Sequence, residues 1–302
     1  MARIFVFGSI NLDLIATTGR LPEPGETVPG TGFSTAPGGK GANQALAARR
    51  AGADVQMCGA VGKDDFAGQA LALLEAGGVD LGRVRHVDGP TGIAIILVDA
   101  HGENVITIIA GANGTLDGGD AEVMLSGLTE GDILVCQQEV PTEAVAAALD
   151  LARRRNARSI LNIAPIVAET GALAAKADIV VANETEFALL LGQELTIDQV
   201  ADAASDYAKR HGQWVCVTLG GEGAVLATGD VLHRAAPLTI SPVDTVGAGD
   251  TFCGYLAAAL LEGADPEHAL RLAAAAGSLA CLKPGAQPAI PTRSEVDQAL
   301  ER

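Results

Sequence analysis

The run Gly247-Ala248-Gly249-Asp250 puts small residues and one carboxylate at the start of a helical pattern. With no bulky side chain in the way, backbone N–H groups at a helix start can close on an anion, and the helix dipole adds partial positive charge. Asp250 is then either a favourable cap-region acid or a base that takes the proton of an alcohol beside the bound anion. An anion hole next to a carboxylate base is what phosphoryl transfer to a hydroxyl requires. Two more glycine clusters, Gly38-Gly39-Lys40-Gly41 and Gly220-Gly221-Glu222-Gly223, fall near strand or helix ends. Each alone reads as a tight turn. Three in one chain point to backbone brought close to a ligand.

Polar residues of a second kind accompany them. Asn11 and Asp13 follow the first apolar run, where open α/β sheets bind ligands, or else they form a capped turn. Asn43, Asn113 and Glu139 sit near other element ends. A sugar offers only hydroxyls, and Asn, Asp, Glu and backbone groups are the partners that match them. Asn183 and Glu186, three apart at a helix start, share one face. That spacing suits a water-mediated Mg²⁺ near phosphates, and it also suits a capping box. Two familiar nucleotide motifs fail. Lys40 is followed by Gly41 where a P-loop needs Ser or Thr, and Gly8-Ser9-Ile10-Asn11 is no dinucleotide fingerprint.

The elements that must position these residues alternate. Apolar runs predict strands at Arg3–Gly8, Val55–Val61, Ile133–Cys136, Ser159–Ile163, Ile179–Ala182 and Val215–Leu219. Amphipathic stretches predict helices at Gly41–Ala51, Phe66–Ala76, Pro141–Arg155, Glu184–Leu191 and Asp198–His211, with two more after Asp250, the second from Pro266 to about Leu282. Strands apolar throughout, separated by helices, imply a parallel sheet covered on both faces. Two stretches break this rhythm, 12–37 and 91–110. The second holds the strands Ile93–Val98 and Val105–Ile109 around a hairpin signal. Both are expected to form a small flap of strands, with 1–11, 38–90 and 111–302 as the core. The flap strands show no clear alternation that would expose one apolar face.

Composition narrows the chemistry. The chain has 302 residues, a net charge of −17 and only 3% aromatic residues. Such a chain lacks the clustered cations and stacking rings of a nucleic-acid binder. Its 48% hydrophobic share excludes an acidic disordered chain. Five scattered cysteines without a C-x-x-C read as buried free thiols of a reducing cytoplasm. The N-terminus enters a strand pattern at once, so no signal peptide is expected, and no apolar run is long enough to span a membrane.

The quoted segments resemble a known family. Gly8-Ser9-Ile10-Asn11-Leu12-Asp13, Pro24-Gly25-Glu26-Thr27 and Gly38 to Ala45 are similar to the N-terminal signature of the ribokinase branch of the PfkB carbohydrate kinases. Gly102-Glu103-Asn104 and Gly111-Ala112-Asn113 match the flap hairpin and its sequel, Asn183-Glu184-Thr185-Glu186 the N-x-x-E motif, and Asp244 to Phe252 the C-terminal signature. The resemblance implies a three-layer α/β/α fold with a mostly parallel central sheet and a β lid. It implies ATP-dependent phosphorylation of ribose at its 5-hydroxyl. Related members act on fructose, 2-keto-3-deoxygluconate or adenosine-like nucleosides.

By the same resemblance Asp250 is the base, and the backbone of Gly247, Ala248 and Gly249 is the anion hole. Asn11, Asp13, Gly39, Lys40, Asn43 and Glu139 hold the sugar. Asn183, Thr218, Gly220 and Gly223, with Gly249, line the nucleotide side, and Glu186 helps organise Mg²⁺. A monovalent cation, K⁺, is implied at Asp244 and the carbonyls of Val246, Ala280, Lys283 and Gly285. A homodimer through the lid is implied as well. Three positions depart from the family pattern: Ala289 replaces a cation-ligating Ser, Ala274 a His beside the adenine, and Ile163 a common Pro.

Overall fold

Residues 2–301 are described by a computed structural model. The chain opens with β1 (Ile4–Phe7), and β2 (Asn11–Thr18) and β3 (Gly30–Gly38) then leave the main layer. Next come α1 (Lys40–Arg50), β4 (Val55–Gly62), α2 (Asp65–Ala76), β5 (Asp80–Val87) and the hairpin of β6 (Gly92–Val98) and β7 (Asn104–Ile109). A single 3₁₀ turn, Gly111–Thr115, leads to α3 (Gly118–Met124), β8 (Ile133–Cys136), α4 (Thr142–Arg154), β9 (Arg158–Asn162), α5 (Thr170–Ala174) and β10 (Ile179–Asn183). Then follow α6 (Glu184–Leu191), α7 (Ile197–His211), β11 (Trp214–Thr218), β12 (Ala224–Thr228) and β13 (Val231–Ala235). Four helices close the chain: α8 (Ala248–Leu261), α9 (Pro266–Ala280), α10 (Ala286–Ala289) and α11 (Arg293–Leu300).

The main sheet has nine strands in the order β13-β12-β11-β10-β9-β8-β1-β4-β5. All pairings from β11 to β5 are parallel, and β12 and β13 are antiparallel. Alternation along β1 shows the layering. Ile4 and Val6 join a core with α1, α2, α8 and α9, while Phe5 and Phe7 join one with α3, α4 and α7. A sheet buried on both faces needs strands that are apolar throughout, and β1, β4 and β8 are buried at every position. The α/β/α expectation therefore stands.

Two edge strands escape the apolar-run rule. Edge strand β5 carries Arg83, Arg85 and His86 and is half exposed. At the other edge lies β13, only partly buried, with the apolar and buried β12 inside it. Edge strands face water on part of their surface, so they lose the continuous apolar signal. Helix limits shift by a residue or two. Pro141 is the N-cap residue of α4 rather than its first turn, α8 already starts at Ala248, and α9 stops at Ala280.

A second sheet, β3-β2-β6-β7, stands apart from the first. Its centre is a parallel pair, β2 with β6, whose residues lie about 80 positions apart in the chain. Asn11 and Gly38, expected in the core, are paired in this sheet. As expected, its exposed apolar residues do not gather on a single face: the register puts Phe33, Ile95 and Val105 on one side and Ile106 and Ile108 on the other. Phe33 is 72% exposed, and Ile95, Val105, Ile106 and Ile108 are exposed too.

Candidate active site

Strand order reverses at β1, with β4 on one side and β8 on the other, and ligand crevices in open α/β sheets form at such a point. The first three site segments meet here. Asn11 and Asp13 lie on β2, just past β1, and Gly39 is the N-cap of α1 with φ 89°. A Cβ on Gly39 would lie 2.7 Å from the backbone N of Asn11, so only glycine lets α1 start against this turn. Asn11 is tied down by Asn113, whose Nδ2 donates to Asn11 Oδ1 at 2.7 Å and to the Ile10 carbonyl at 3.1 Å. Glu139, after β8, accepts from Ser9 Oγ at 2.6 Å and from the Lys40 backbone N–H at 3.0 Å.

Helix α8 supplies the last segment. Gly247, at φ 76°, is its N-cap, and a Cβ there would meet Ala286 at 2.7 Å. Asp250 sits in the first turn, buried. Helices α1 and α8 approach closely because Gly254 has no side chain: a Cβ there would lie 2.5 Å from the Ala47 Cβ. That approach brings Asn43 Nδ2 to 2.9 Å from Asp250 Oδ2. The other carboxylate oxygen, Oδ1, accepts from Gln44 Nε2 at 2.9 Å. Gln44 is a neighbour that spacing arguments missed. An amide inside an Ala-rich buried helix was the available signal, because it must find a partner.

The site is electrically dense. Burial, with Glu139 and Asp250 nearby, pushes the Asp13 carboxyl up to about 7. Burial works to lower the Lys40 ammonium, but the charges of Asp250, Glu139 and Glu186 outweigh it and hold it above its ordinary value. Lys40 is the cation among these acids.

A cavity of about 230 Å³ is lined by Lys40, Asn162, Glu186, Thr245, Gly247 and Asp250. It shares Asn183, Thr218, Thr245 and Gly249 with a larger pocket of about 660 Å³. The larger pocket runs past Gly220, Gly221 and Gly223 to Phe252, Ala274, Ser278 and Cys281. Its far end is largely apolar, with Ala274 on the wall where the resemblance leads one to expect a His. Gly223 has φ 91°, and a Cβ there would strike the Ala235 carbonyl at 2.1 Å.

Asn183 and Glu186 form a capping box: Asn183 Oδ1 accepts from the Glu186 N–H at 2.7 Å, and Glu186 Oε2 accepts from the Asn183 N–H at 2.9 Å. Both residues nevertheless line the smaller cavity, so the cap and the site share the same side chains. Among the described residues no three His, Cys, Asp or Glu side chains gather as a metal site. A divalent ion here would be carried by phosphates and water, with Glu186 as an outer carboxylate.

Asp244 joins two loops. Its Oδ1 accepts from the Val246 N–H at 3.0 Å and its Oδ2 from the Gly285 N–H at 2.8 Å. The segment is also pinned to the end of α9, where the Cys281 carbonyl accepts from Val243 N–H at 2.7 Å. A carboxylate with main-chain carbonyls would offer a hard monovalent cation oxygen ligands alone. Ala289, buried in α10, adds no side-chain oxygen.

Comparison with known proteins gives a consistent picture. The model of the pfkB family carbohydrate kinases matches residues 1–293. A ribokinase of Bacillus subtilis (strain 168) is 38% identical over 300 residues, which is 99% of this chain and 100% of that protein. A deoxyribokinase of Salmonella typhi is 34% identical, over 98% of each. Among solved structures, a ribokinase from Thermotoga maritima is similar with a TM-score of 0.91 and 33% identity, over 100% of both chains. An Arabidopsis thaliana ribokinase complexed with ribose and ATP is similar with a TM-score of 0.88 and 32% identity, also over 100% of both.

Proposed function

The chain belongs to the pfkB family of carbohydrate kinases, and from that membership we propose that it transfers the γ-phosphoryl group of ATP to the 5-hydroxyl of D-ribose. The carrying observation is Asp250. It is a buried carboxylate in the first turn of α8, on the wall of a cavity that opens into a nucleotide-sized pocket.

In this reading ribose lies against Asn11, Asp13, Gly39, Lys40, Asn43 and Glu139. Asn43 Oδ1 is buried with no partner in the protein, which supports a sugar hydroxyl as its donor. Asp250 takes the proton of the 5-hydroxyl as the oxygen attacks. The N–H groups of Gly247, Ala248 and Gly249 face the charge that develops on the transferred group. Positioning and electrostatics carry the rate, because phosphoryl transfer asks for little covalent help. Nucleotide contacts come from Asn183, Thr218, Gly220, Gly223 and Gly249. Mg²⁺, when bound with the nucleotide, neutralises phosphate charge. Glu186 would orient its water shell. Asp244 and the carbonyls of Val246, Ala280, Lys283 and Gly285 would hold K⁺, whose charge would support the start of α8.

Two further points belong to the same proposal. A second copy of this chain covers the exposed apolar residues of the second sheet, which acts as a lid. Large exposed apolar patches rimmed by polar surface mark such contacts. The location is cytoplasmic, in keeping with five free cysteines. Among the described residues no helix is long and apolar enough to cross a membrane.

A coupled ADP-release assay tests the reading, with ribose, 2-deoxyribose, fructose, 2-keto-3-deoxygluconate and adenosine as acceptors. Ribose is expected to give the highest kcat/KM, and a higher value on another acceptor displaces it. Asp250→Asn is expected to keep the fold and lower kcat by roughly 10²–10⁴-fold.

A further inference from the structure

Asp250 is held from two sides by amides of α1, and one of them plays no part in the sugar or phosphate contacts above. Gln44 Nε2 donates to Asp250 Oδ1 at 2.9 Å, and Gln44 Oε1 accepts from Gln137 Nε2 at 2.7 Å. Both glutamines are 0% exposed. Gln137 Oε1 has no partner. A Cβ on Gly8 would lie 1.9 Å from it, so this oxygen is pressed against the backbone of the β1–β2 turn.

The direction of this chain is set by its end. An ionised carboxylate only accepts hydrogen bonds. Gln44 must therefore turn its NH₂ group to Asp250, which leaves its oxygen facing Gln137. Gln137 must then turn its own NH₂ group to Gln44, and the unpaired acceptor is displaced to the far end. An unpartnered buried amide oxygen is costly. The arrangement keeps that cost at Gln137, away from the reacting atoms. Reversing it would set the Gln44 oxygen against the carboxylate.

We propose that Gln44 is a positioning residue for Asp250, with Gln137 fixing its orientation. Together they hold the carboxylate turned so that a free lone pair meets the substrate hydroxyl. This rests on the reading of Asp250 as the base. Other groups also face Asp250: Lys40 from the start of α1, Asp13 from β2 and Cys253 on α8 itself, with Glu139 and Glu186 beyond them around Lys40. All of these stay in place in the variants below.

The test is Gln44→Met, similar in length and without a donor, read by single-turnover phosphoryl transfer to ribose across pH. Expected is a fall in the transfer rate of about tenfold or more, with KM for ribose and ATP changed by less than about threefold. The acid limb of the rate profile should move up by about one pH unit, because the charged form has lost a donor. Gln137→Met should move the limb the same way by less. An unmoved limb in Gln44→Met, whatever the rate, overturns the proposal and leaves Gln44 a packing residue. If Gln44→Met does not fold, Gln137→Met decides, since it does not touch Asp250: a raised limb supports the proposal and an unmoved one overturns it. Asp250→Asn is run alongside. If it keeps turnover, the base reading fails and the positioning role falls with it. If it is inactive while the Gln44→Met limb is unmoved, only the role of Gln44 fails.

Discussion

Glu139 Oε2 accepts a hydrogen bond from the backbone N–H of Lys40 at 3.0 Å. One carboxylate therefore anchors the N-terminus of α1, and in the proposed reading it also binds the sugar. The same oxygen accepts from Ser9 Oγ at 2.6 Å, so β1, β8 and α1 are joined at a single atom. An anion at a helix start is favoured by the exposed N–H groups and the dipole.

Glu139→Gln should weaken both jobs. The charge-assisted bonds become neutral ones, and a loss of about 1–2 kcal/mol of sugar binding corresponds to a rise in ribose KM of roughly 5–30-fold. Thermal unfolding should fall by a few degrees through the poorer helix cap. Steady-state kinetics and a melting curve check the pair. An unchanged ribose KM would remove Glu139 from the sugar site.

Asp244 ties the Val246 and Gly285 loops together through its two carboxylate oxygens. Asp244→Asn should loosen both and weaken the response to K⁺. Turnover measured against K⁺ in a tetramethylammonium buffer reads this directly. Ala289→Ser should act the opposite way and lower the K⁺ needed for half-maximal rate by a few-fold, because it adds an oxygen where this chain has a methyl group. Equal rates with and without K⁺ in the unsubstituted protein would sink the cation proposal.

What the sequence made legible is what local spacing can carry. The glycine clusters and the Asn183–Glu186 pair are short-range patterns, and the capping box emerges as one of the two alternatives that their spacing allowed. Gln44 with Asp250 was invisible because the partners lie 206 residues apart and meet only when α1 packs on α8. The parallel pairing of β2 with β6 was hidden for the same reason. Edge strands β5 and β13 were lost for another. Their Arg and His side chains face solvent, so burial does not impose an apolar pattern on them.

The lid surface yields a prediction on assembly. Ile106 and Ile108 project from β7, a strand exposed along its whole length, and Phe33 stands exposed on β3. An edge strand with this much bare apolar surface is an association site unless it is covered. Ile106→Asp should shift a dimer toward monomer in sedimentation at micromolar concentration. A mass that is monomeric before the substitution would end the dimer proposal.

The last prediction concerns pH. Asp13 holds its proton up to about 7 because it is buried beside Glu139 and Asp250. Sugar hydroxyls donate best to the ionised form, so ribose binding should release a proton when the free site is protonated. Ribose affinity should therefore drop as pH falls from 8 to 6, by about tenfold once the pH is one unit below the folded pKa. The same shift acts on stability with a definite sign. Between the ordinary carboxylate range and pH 7 the folded state carries a proton that the unfolded state has lost. This contribution to stability is fully present at low pH and disappears as pH rises through 7. Asp13→Asn removes the titrating group. Its melting temperature should exceed that of the unsubstituted protein at pH 8 by a few degrees, with the gap closing toward pH 5. Melting curves at both pH values, paired with isothermal titration of ribose in two buffers of different ionisation enthalpy, read the two effects separately. A gap that is the same at pH 5 and pH 8 would show that Asp13 does not titrate in this range, and that the three carboxylates do not share the field the structure gives them.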